Sequence, residues 1–118
     1  MSCSAPIIDL CINEGATFEK DFVWLADGVP VNLTGYTAEA HFRIQRDAPG
    51  TILEATTENG LIVIEPLEGR YGFRFDHEIT SAMQRCQYDL FLIAPSGHRL
   101  LRQGGAVKYN RAVTRDLP

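Results

Sequence analysis

The sequence lacks the features that mark membrane, exported and nucleic-acid-binding proteins. No apolar run approaches the roughly 20 residues that a membrane-spanning helix needs. The N-terminal stretch MSCSAPIIDLCINEG has neither a basic region nor a long apolar segment, so we predict that no signal peptide is present. A net charge of −4 argues against a phosphate-binding surface as the main feature of the chain. We therefore predict neither nucleic acid nor membrane among its partners.

Cysteine and histidine are scarce, with three residues of each. In a chain without a predicted signal peptide, so few cysteines indicate a reducing compartment and free thiols. The order Cys11, Trp24, Cys86 is similar to an immunoglobulin Cys–Trp–Cys pattern. Cys11, however, lies on the polar face of its predicted strand, so we predict free thiols there and at Cys86. A disulfide to another subunit through Cys3 or Cys11 stays open.

Motifs that carry catalytic or cofactor chemistry are also missing. The three histidines have no other His or Cys at metal-ligand spacing. Ser96 lies in a turn without a nucleophile-elbow pattern. Gly104 and Gly105 are not followed by the helix start and Lys-Ser/Thr of a phosphate loop. We predict no metal site, no cofactor, no catalytic residue and no enzymatic activity.

Helical periodicity is nearly absent, whereas strand periodicity covers most of the chain. The only helical candidate is a short connecting helix over residues 77–83, with Asp76 as its N-cap. Alternation is clearest over residues 37–45, and Asp27-Gly28 and Asn59-Gly60 predict tight hairpin turns. The pair Gly104-Gly105 predicts a break before a last strand. About eight or nine short strands predict an all-β fold, either an antiparallel β-sandwich or a barrel.

Two predicted strands are apolar on both faces, at residues 61–64 and 90–94. A strand with one face in water should alternate, so something must cover the second face. We expect Tyr88, Leu90 and Leu92 to face a partner sheet, and Phe91 and Ile93 to face a neighbouring subunit. Arginines cluster in the C-terminal quarter and acids in the N-terminal quarter; these are either solvated faces or the two edges of a head-to-tail contact. The predicted interface residues are Phe91, Ile93, Ile62, Ile64, Arg99, Arg102, Arg111 and Arg115.

Short motifs in a fixed order carry a resemblance to a known family. They are Leu33-Thr34-Gly35-Tyr36-Thr37, Phe42-Arg43, Gly69-x-Tyr71-x-Phe73, Thr80-x-x-Met83, Tyr88-Asp89-Leu90, Pro95-Ser96-Gly97, Gly104/Gly105-x-Val107 and Val113-Thr114-Arg115. In this order they resemble the small immunoglobulin-like β-sandwich proteins of tailed bacteriophage virions, including baseplate and tail-fibre attachment domains. The likeness covers residues 14–115. It divides the chain into an N-terminal strand or assembly arm, 1–13, and a single β-sandwich domain, 14–118.

The resemblance implies a non-enzymatic role in a virion, without a cofactor. The expected function is a structural component of the tail, collar, baseplate or head–tail region. Its partners would be other virion proteins and further copies of itself, as a homo-oligomer or symmetric ring. Ala112 departs from the family pattern, which often has an acid there. The alternative is a carbohydrate- or receptor-binding module that uses Trp24, Tyr36 and Tyr109.

Overall fold

The computed structural model describes residues 5–114, and these residues form mainly β-strands. Strands make up 51% and helix 7%, which confirms the predicted all-β class. The described strands are β1 (Leu10–Asn13), β2 (Phe18–Val23), β3 (Leu25–Ala26), β4 (Val29–Pro30), β5 (Thr37–Arg43), β6 (Leu53–Thr56), β7 (Ile62–Glu65), β8 (Arg70–Phe75), β9 (Cys86–Ile93) and β10 (Arg99–Asn110). A short 3₁₀ turn spans Pro66–Glu68, and one α-helix, α1, spans His77–Ser81.

The strands form two main sheets and a small hairpin. The five-stranded sheet has the order β1-β10-β9-β5-β6 and is curled like half a barrel. The three-stranded sheet has the order β2-β8-β7, and β3 pairs only with β4. Neighbouring strands are antiparallel except β1 and β10, which run parallel. The segment Leu10–Asn13 is thus a strand of the five-stranded sheet.

The core lies between the two sheets, where aromatic rings from both meet edge to face. The ring of Phe42 on β5 lies 5.6 Å from Phe73 and 5.7 Å from Phe75 on β8, measured between centroids. Phe73 also contacts Tyr88 on β9 at 5.9 Å. Edge-to-face geometry of this kind adds about 0.5–1.5 kcal/mol per pair to the burial of the rings. The alternate aromatic residues of β8, Tyr71, Phe73 and Phe75, therefore point into the core.

The predicted break at Gly104-Gly105 is wrong, because β10 continues through both glycines. A Cβ on Gly105 would lie 2.6 Å from the carbonyl oxygen of Ile8 and 2.8 Å from Oδ1 of Asp9. A Cβ on Gly104 would lie 3.0 Å from the carbonyl oxygen of Tyr88. The segment before β1 pairs with β10 here through a parallel bridge between Ile7 and Gly104. Gly105 is close to the backbone of this segment and Gly104 to that of β9, so the glycines allow close backbone approach rather than a break.

The two Asx-Gly pairs have different outcomes. Asp27-Gly28 forms the predicted two-residue hairpin between β3 and β4, with positive φ angles of 53° and 79°. The hairpin predicted at Asn59-Gly60 is wrong, because β6 and β7 belong to different sheets. Oδ1 of Asn59 accepts hydrogen bonds from the backbone N–H groups of Thr56 and Leu61, which holds this turn as a crossover between the sheets.

The connecting helix begins where the sequence predicts. Asp76 caps it, since its carboxylate accepts the backbone N–H of Ile79 at 2.9 Å. The helix ends at Ser81, two residues earlier than predicted, where Ala82 forms the C-cap.

Candidate interaction surface

Strand β9 has one fully buried face and one half-buried face. Cys86, Tyr88, Leu90 and Leu92 are buried and point to the core. The alternate residues are half-buried and point away from it; they are Gln87, Asp89, Phe91 and Ile93. We call the surface formed by these residues and their cross-strand neighbours the outer face of the five-stranded sheet. Tyr88, Leu90 and Leu92 lie on the side that the sequence predicts for them.

The centre of the outer face is apolar, with a cation across part of it. Phe91 pairs with Glu39 on β5 and with Leu101 on β10, and Leu101 is 37% exposed. The guanidinium carbon of Arg99 lies 4.5 Å from the Phe91 ring centroid. A nitrogen of the same group lies 3.2 Å from Oε1 of Glu39. The predicted interface residues Phe91, Ile93 and Arg99 are therefore brought together on one surface.

A row of charged groups continues along β5 and β6. Nε2 of His41 lies 3.9 Å from a carboxylate oxygen of Glu39 and 3.9 Å from one of Glu54. Its Nδ1 lies 3.4 Å from Nη2 of Arg43. Arg43 in turn donates from Nη1 to the carbonyl oxygen of Ala48 at 3.0 Å, which fixes the guanidinium against the β5–β6 loop.

Two adjoining cavities, each of about 200 Å³, cross the outer face beside this row. Arg46 and Asp89 line both. Gly104 lines the second cavity. The lining also includes His41, Arg43, Ile7 and Leu101. We call the two cavities together the outer-face groove.

The structure places Ile62 and Ile64 away from any outer surface. Ile62 pairs with Phe73, and Ile64 pairs with Tyr71, so both point to the core. Ile62 is 1% exposed, and Ile64 is half-buried and packs on the core. The apolar run predicts a two-faced strand, but the other face of β7 holds only one apolar residue, Val63, next to Glu65. Ile62 consequently has no surface to offer a partner, and we do not retain these two residues in the proposed interface.

The other predicted arginines are dispersed. Arg102 lies at a β-bulge between Leu101 and Gln103, with its guanidinium carbon 5.2 Å from the Trp24 ring centroid. Its Nε is buried and has no hydrogen-bond partner among the described residues. Nε of Arg111 lies 3.5 Å from Oε1 of Glu14. Arg115 lies outside the described residues.

Most acids of the N-terminal quarter are paired within the chain. Besides Glu14, Asp21 accepts Arg74 at 2.8 Å, and Glu19 lies 3.9 Å from the same guanidinium. Oδ1 of Asp9 accepts the backbone N–H of Ala106. Among the described residues, Asp27 makes neither a side-chain hydrogen bond nor an ion pair. Most of the N-terminal acids therefore have their partners within the same copy of the protein.

A buried polar chain, meaning a series of hydrogen-bonded polar side chains that no sequence pattern predicts, lies behind the outer face. The bulge at Arg102 turns Gln103 into the core, where it is 0% exposed. Tyr71 donates to Oε1 of Gln103, and Nε2 of Gln103 donates to the Tyr88 hydroxyl at 2.9 Å. Tyr88 then donates to the carbonyl oxygen of Ile8 at 2.7 Å. Each of these three side chains is hydrogen-bonded, and together they hold the segment before β1 against the core. No sequence signal announces the bulge.

Burial shifts the titration of the inward-facing groups. It raises the pKa of Tyr88 to about 12 and that of the Cys86 thiol to about 11. It also raises the pKa of Tyr71, although the neighbouring Arg102 guanidinium offsets part of the rise. Cys86 is buried and Cys11 exposed, and both are free thiols as predicted; Cys3 lies outside the described residues.

The three aromatic residues of the sugar-binding alternative do not form an exposed platform. Trp24, Tyr36 and Tyr109 are half-buried and pack against the core. Tyr109 donates its hydroxyl to the carbonyl oxygen of Thr80, and Arg102 lies over Trp24. Within residues 5–114, no cluster of three His, Cys, Asp or Glu side chains could hold a metal ion. None of the helices in this part of the chain is both long and apolar enough to cross a membrane.

Comparison with known proteins gives a likeness of fold. No protein-family model and no curated protein matches the sequence. Among solved structures, the chain is similar to the N-terminal domain of phage TP901-1 ORF48, with a TM-score of 0.51. The likeness covers 88% of this chain and 84% of that one, at 10% sequence identity. At this identity the match supports the same class of β-rich domain and nothing about residues in particular.

Proposed function

We propose that this protein is a non-enzymatic structural component of a tailed-phage virion, and that it assembles through the outer face of its five-stranded sheet. The observation that carries the proposal is the apolar cluster on that face, formed by half-buried Phe91 and Ile93 and exposed Leu101. The similarity to a phage protein domain supports the phage context, because it extends over most of both chains. The family resemblance of the sequence motifs points the same way. The protein would then reside in the virion, in contact with other structural proteins.

We further propose that the domain is a variant of the immunoglobulin-like sandwich. Its support is the order of the strands. If β2 and β5 are equated with strands B and C, the five-stranded sheet carries G, F, C and C′ in that order, and the three-stranded sheet carries B, E and D. This division is that of variable-type domains, where C′ joins the GFC sheet. The usual disulfide is absent from the described residues, and its place in strand F holds the free thiol of Cys86.

The composition of the outer face suits a protein contact. An interface core is typically apolar or aromatic, with arginine enriched and charges at the rim. Phe91 and Ile93 would supply the centre, Arg99 would cover one side, and Glu39 would stand at the rim. Arg99 can exchange its exposed partner Glu39 for a group of the neighbour at little cost, since exposed ion pairs contribute about 0–1 kcal/mol.

A non-enzymatic role is supported by the titration of the buried groups. The groups with shifted pKa values are Tyr71, Cys86, Tyr88 and Tyr109, and burial holds each of them in its protonated, unreactive form. Activated nucleophiles and bases are shifted toward neutral pH instead. In the described part of the chain, the outer-face groove contains no Ser or Cys nucleophile beside its only histidine, His41.

The test is incorporation into virions of the phage that carries the gene. Peptides of the chain should be found by mass spectrometry in purified particles. The variant Phe91→Asp should stay folded, by circular dichroism and thermal unfolding, but lose incorporation. Gln84→Asp is the control, because it places the same charge at an exposed site outside the outer face and its groove. Absence of the wild-type chain from particles would refute the virion role, and normal incorporation of a folded Phe91→Asp variant would refute the assigned surface.

A further inference from the structure

We infer that copies of this protein bind one another head to tail, with the β3–β4 hairpin of one copy inserted into the outer-face groove of the next. The inference rests on the proposed function in one respect: it uses the same face as the assembly surface. It adds two points to that proposal. A second copy of this chain occupies the outer-face groove, and its β3–β4 hairpin is the segment that binds.

The hairpin has the properties of a protruding contact element. Leu25 and Val29 are 52% and 62% exposed and flank the turn. Asp27 at the turn is the one acid of the N-terminal quarter left without a partner among residues 5–114. Positive φ angles at Asp27 and Gly28 match the two-residue hairpin geometry that Asp-Gly favours, so the tip is preorganised. The tip therefore presents an unpaired carboxylate between two exposed aliphatic side chains, and a preorganised segment loses little conformational entropy on binding.

The groove has the complementary properties. Arg46 makes no ion pair and no side-chain hydrogen bond with any described residue. Arg43 is anchored on the carbonyl oxygen of Ala48, which fixes its guanidinium at the groove. Two apolar side chains form the rim on the other side: Ile7, which is 77% exposed, and Leu101, which is 37% exposed. Asp89 opposes an incoming acid, but the two guanidinium groups outweigh it.

The two elements match in charge and in apolar character. Asp27 would lie between the guanidinium groups of Arg43 and Arg46, with Leu25 or Val29 against the rim. A charge-assisted contact of this kind is short and directional. Within one copy the pairing is not made, since Asp27 has no partner among the described residues; the hairpin follows β2 of the three-stranded sheet, whereas Arg43 and Leu101 of the groove belong to strands of the five-stranded sheet. Since hairpin and groove are different surfaces, the contact is heterologous and generates a ring or a filament.

The experiment measures self-association of the purified full chain by sedimentation velocity over a range of concentrations. Wild type should form oligomers as concentration rises. Asp27→Lys and Arg46→Asp should each weaken association about tenfold or more, because each places like charges together. Mixing the two variants should restore part of the association, since the introduced lysine of one variant then meets the introduced aspartate of the other. Arg43 still opposes that lysine, while the reciprocal contact of Asp27 with Arg46 has the wild-type sign. Glu58→Lys and Arg85→Asp are the controls, with the same charge changes at exposed sites outside the hairpin and the groove.

Two outcomes would overturn the inference. One is a wild-type chain that remains monomeric at every concentration; if it is nevertheless present in virions, the proposed function stands and only the self-contact is wrong. The other is a mixture of the two variants that associates no better than either alone. Because every substituted side chain is exposed or lies at the groove surface, thermal unfolding should confirm that all variants are folded.

Discussion

Polar side chains are buried and closely hydrogen-bonded on the inner face of the five-stranded sheet, whereas they are partly exposed and loosely paired on its outer face. On the inner face, Gln103 and Tyr88 are 0% and 2% exposed, and their side chains are joined in a continuous hydrogen-bonded chain. On the outer face, His41 lies 3.9 Å from the nearest carboxylates, and the Arg99–Glu39 pair is partly exposed. A buried polar group without a partner costs its full desolvation free energy, and Gln103 and Tyr88 avoid this cost by hydrogen bonding to each other. An exposed charged group can replace its protein partner by water, or by a group of another protein, at little cost in free energy.

The inner face of this sheet therefore serves mainly the stability of the fold, and the outer face is available for binding a partner. Inner-face groups fix the register of β10 and hold the segment before β1, so changing them should unfold or loosen the domain. Outer-face groups contribute little to the fold and remain available for contact. Substitutions on the two faces should therefore differ clearly in their effect on the free energy of unfolding.

The largest expected effect comes from truncating the inner apolar face of β9. Leu92→Ala should lower the free energy of unfolding by about 2–5 kcal/mol, because Leu92 is 0% exposed and leaves a cavity. Phe91→Ala, one residue away on the outer face, should cost clearly less, since its ring is only half-buried. Urea unfolding measures both values. Equal losses would show that Phe91 is a core residue and that the interface must be sought elsewhere.

The next effect concerns the buried polar chain. Gln103→Ala should cost about 1–3 kcal/mol, because it removes the acceptor of the Tyr71 hydroxyl and the donor to the Tyr88 hydroxyl, which keeps only its bond to Ile8. Hydrogen exchange should also become faster at the backbone N–H of Ile8, which donates to the carbonyl oxygen of Gly104 beside this chain. Gln87→Ala on the outer face is the matched control and should change stability little. Unchanged exchange at Ile8 together with a small loss for Gln103→Ala would contradict the fastening role.

The sequence predicts the side chains that alternate and misses those whose position depends on distant backbone. The inward face of β5, the hairpin at Asp27-Gly28 and the cap at Asp76 all follow from local periodicity or turn chemistry. The path through Gly104-Gly105 depends on a segment almost 100 residues away in sequence, which no local pattern reveals. The bulge at Arg102 is likewise not revealed by any local sequence pattern.

The candidate surface shows the same division. Phe91 and Ile93 are predictable because alternation stops there. The groove is not, because Arg46 comes from a loop, Ile7 from the segment before β1 and Gly104 from β10. The run at 61–64 misleads because aliphatic residues on both faces of a short strand do not reveal which face is covered; only the pairing with β8 decides that Ile62 and Ile64 are inward.

Alkaline pH should destabilise the fold through the inner thiol. Burial raises the pKa of Cys86 from 9.0 to about 11, so the unfolded chain loses this proton first as pH rises. Stability is therefore constant with respect to this group below pH 9 and falls between about pH 9 and pH 11, by about 1 kcal/mol at pH 10. Urea unfolding of wild type and Cys86→Ala across this range isolates the contribution. Equal slopes for the two proteins would contradict it.

The smallest expected effect comes from the outer charges, and it tests the comparison most sharply. Glu39→Gln removes the ion pair with Arg99 and the nearby charge beside His41, yet it should change the free energy of unfolding by less than about 0.5 kcal/mol. Thermal unfolding at low and high salt measures the change, and salt should have no further effect on the variant at this site. A loss as large as that of Gln103→Ala would mean that the outer charges help to hold the sheet together. Arg99 would then not be free to change partners, and the outer face could not serve as a contact surface without a cost to the fold.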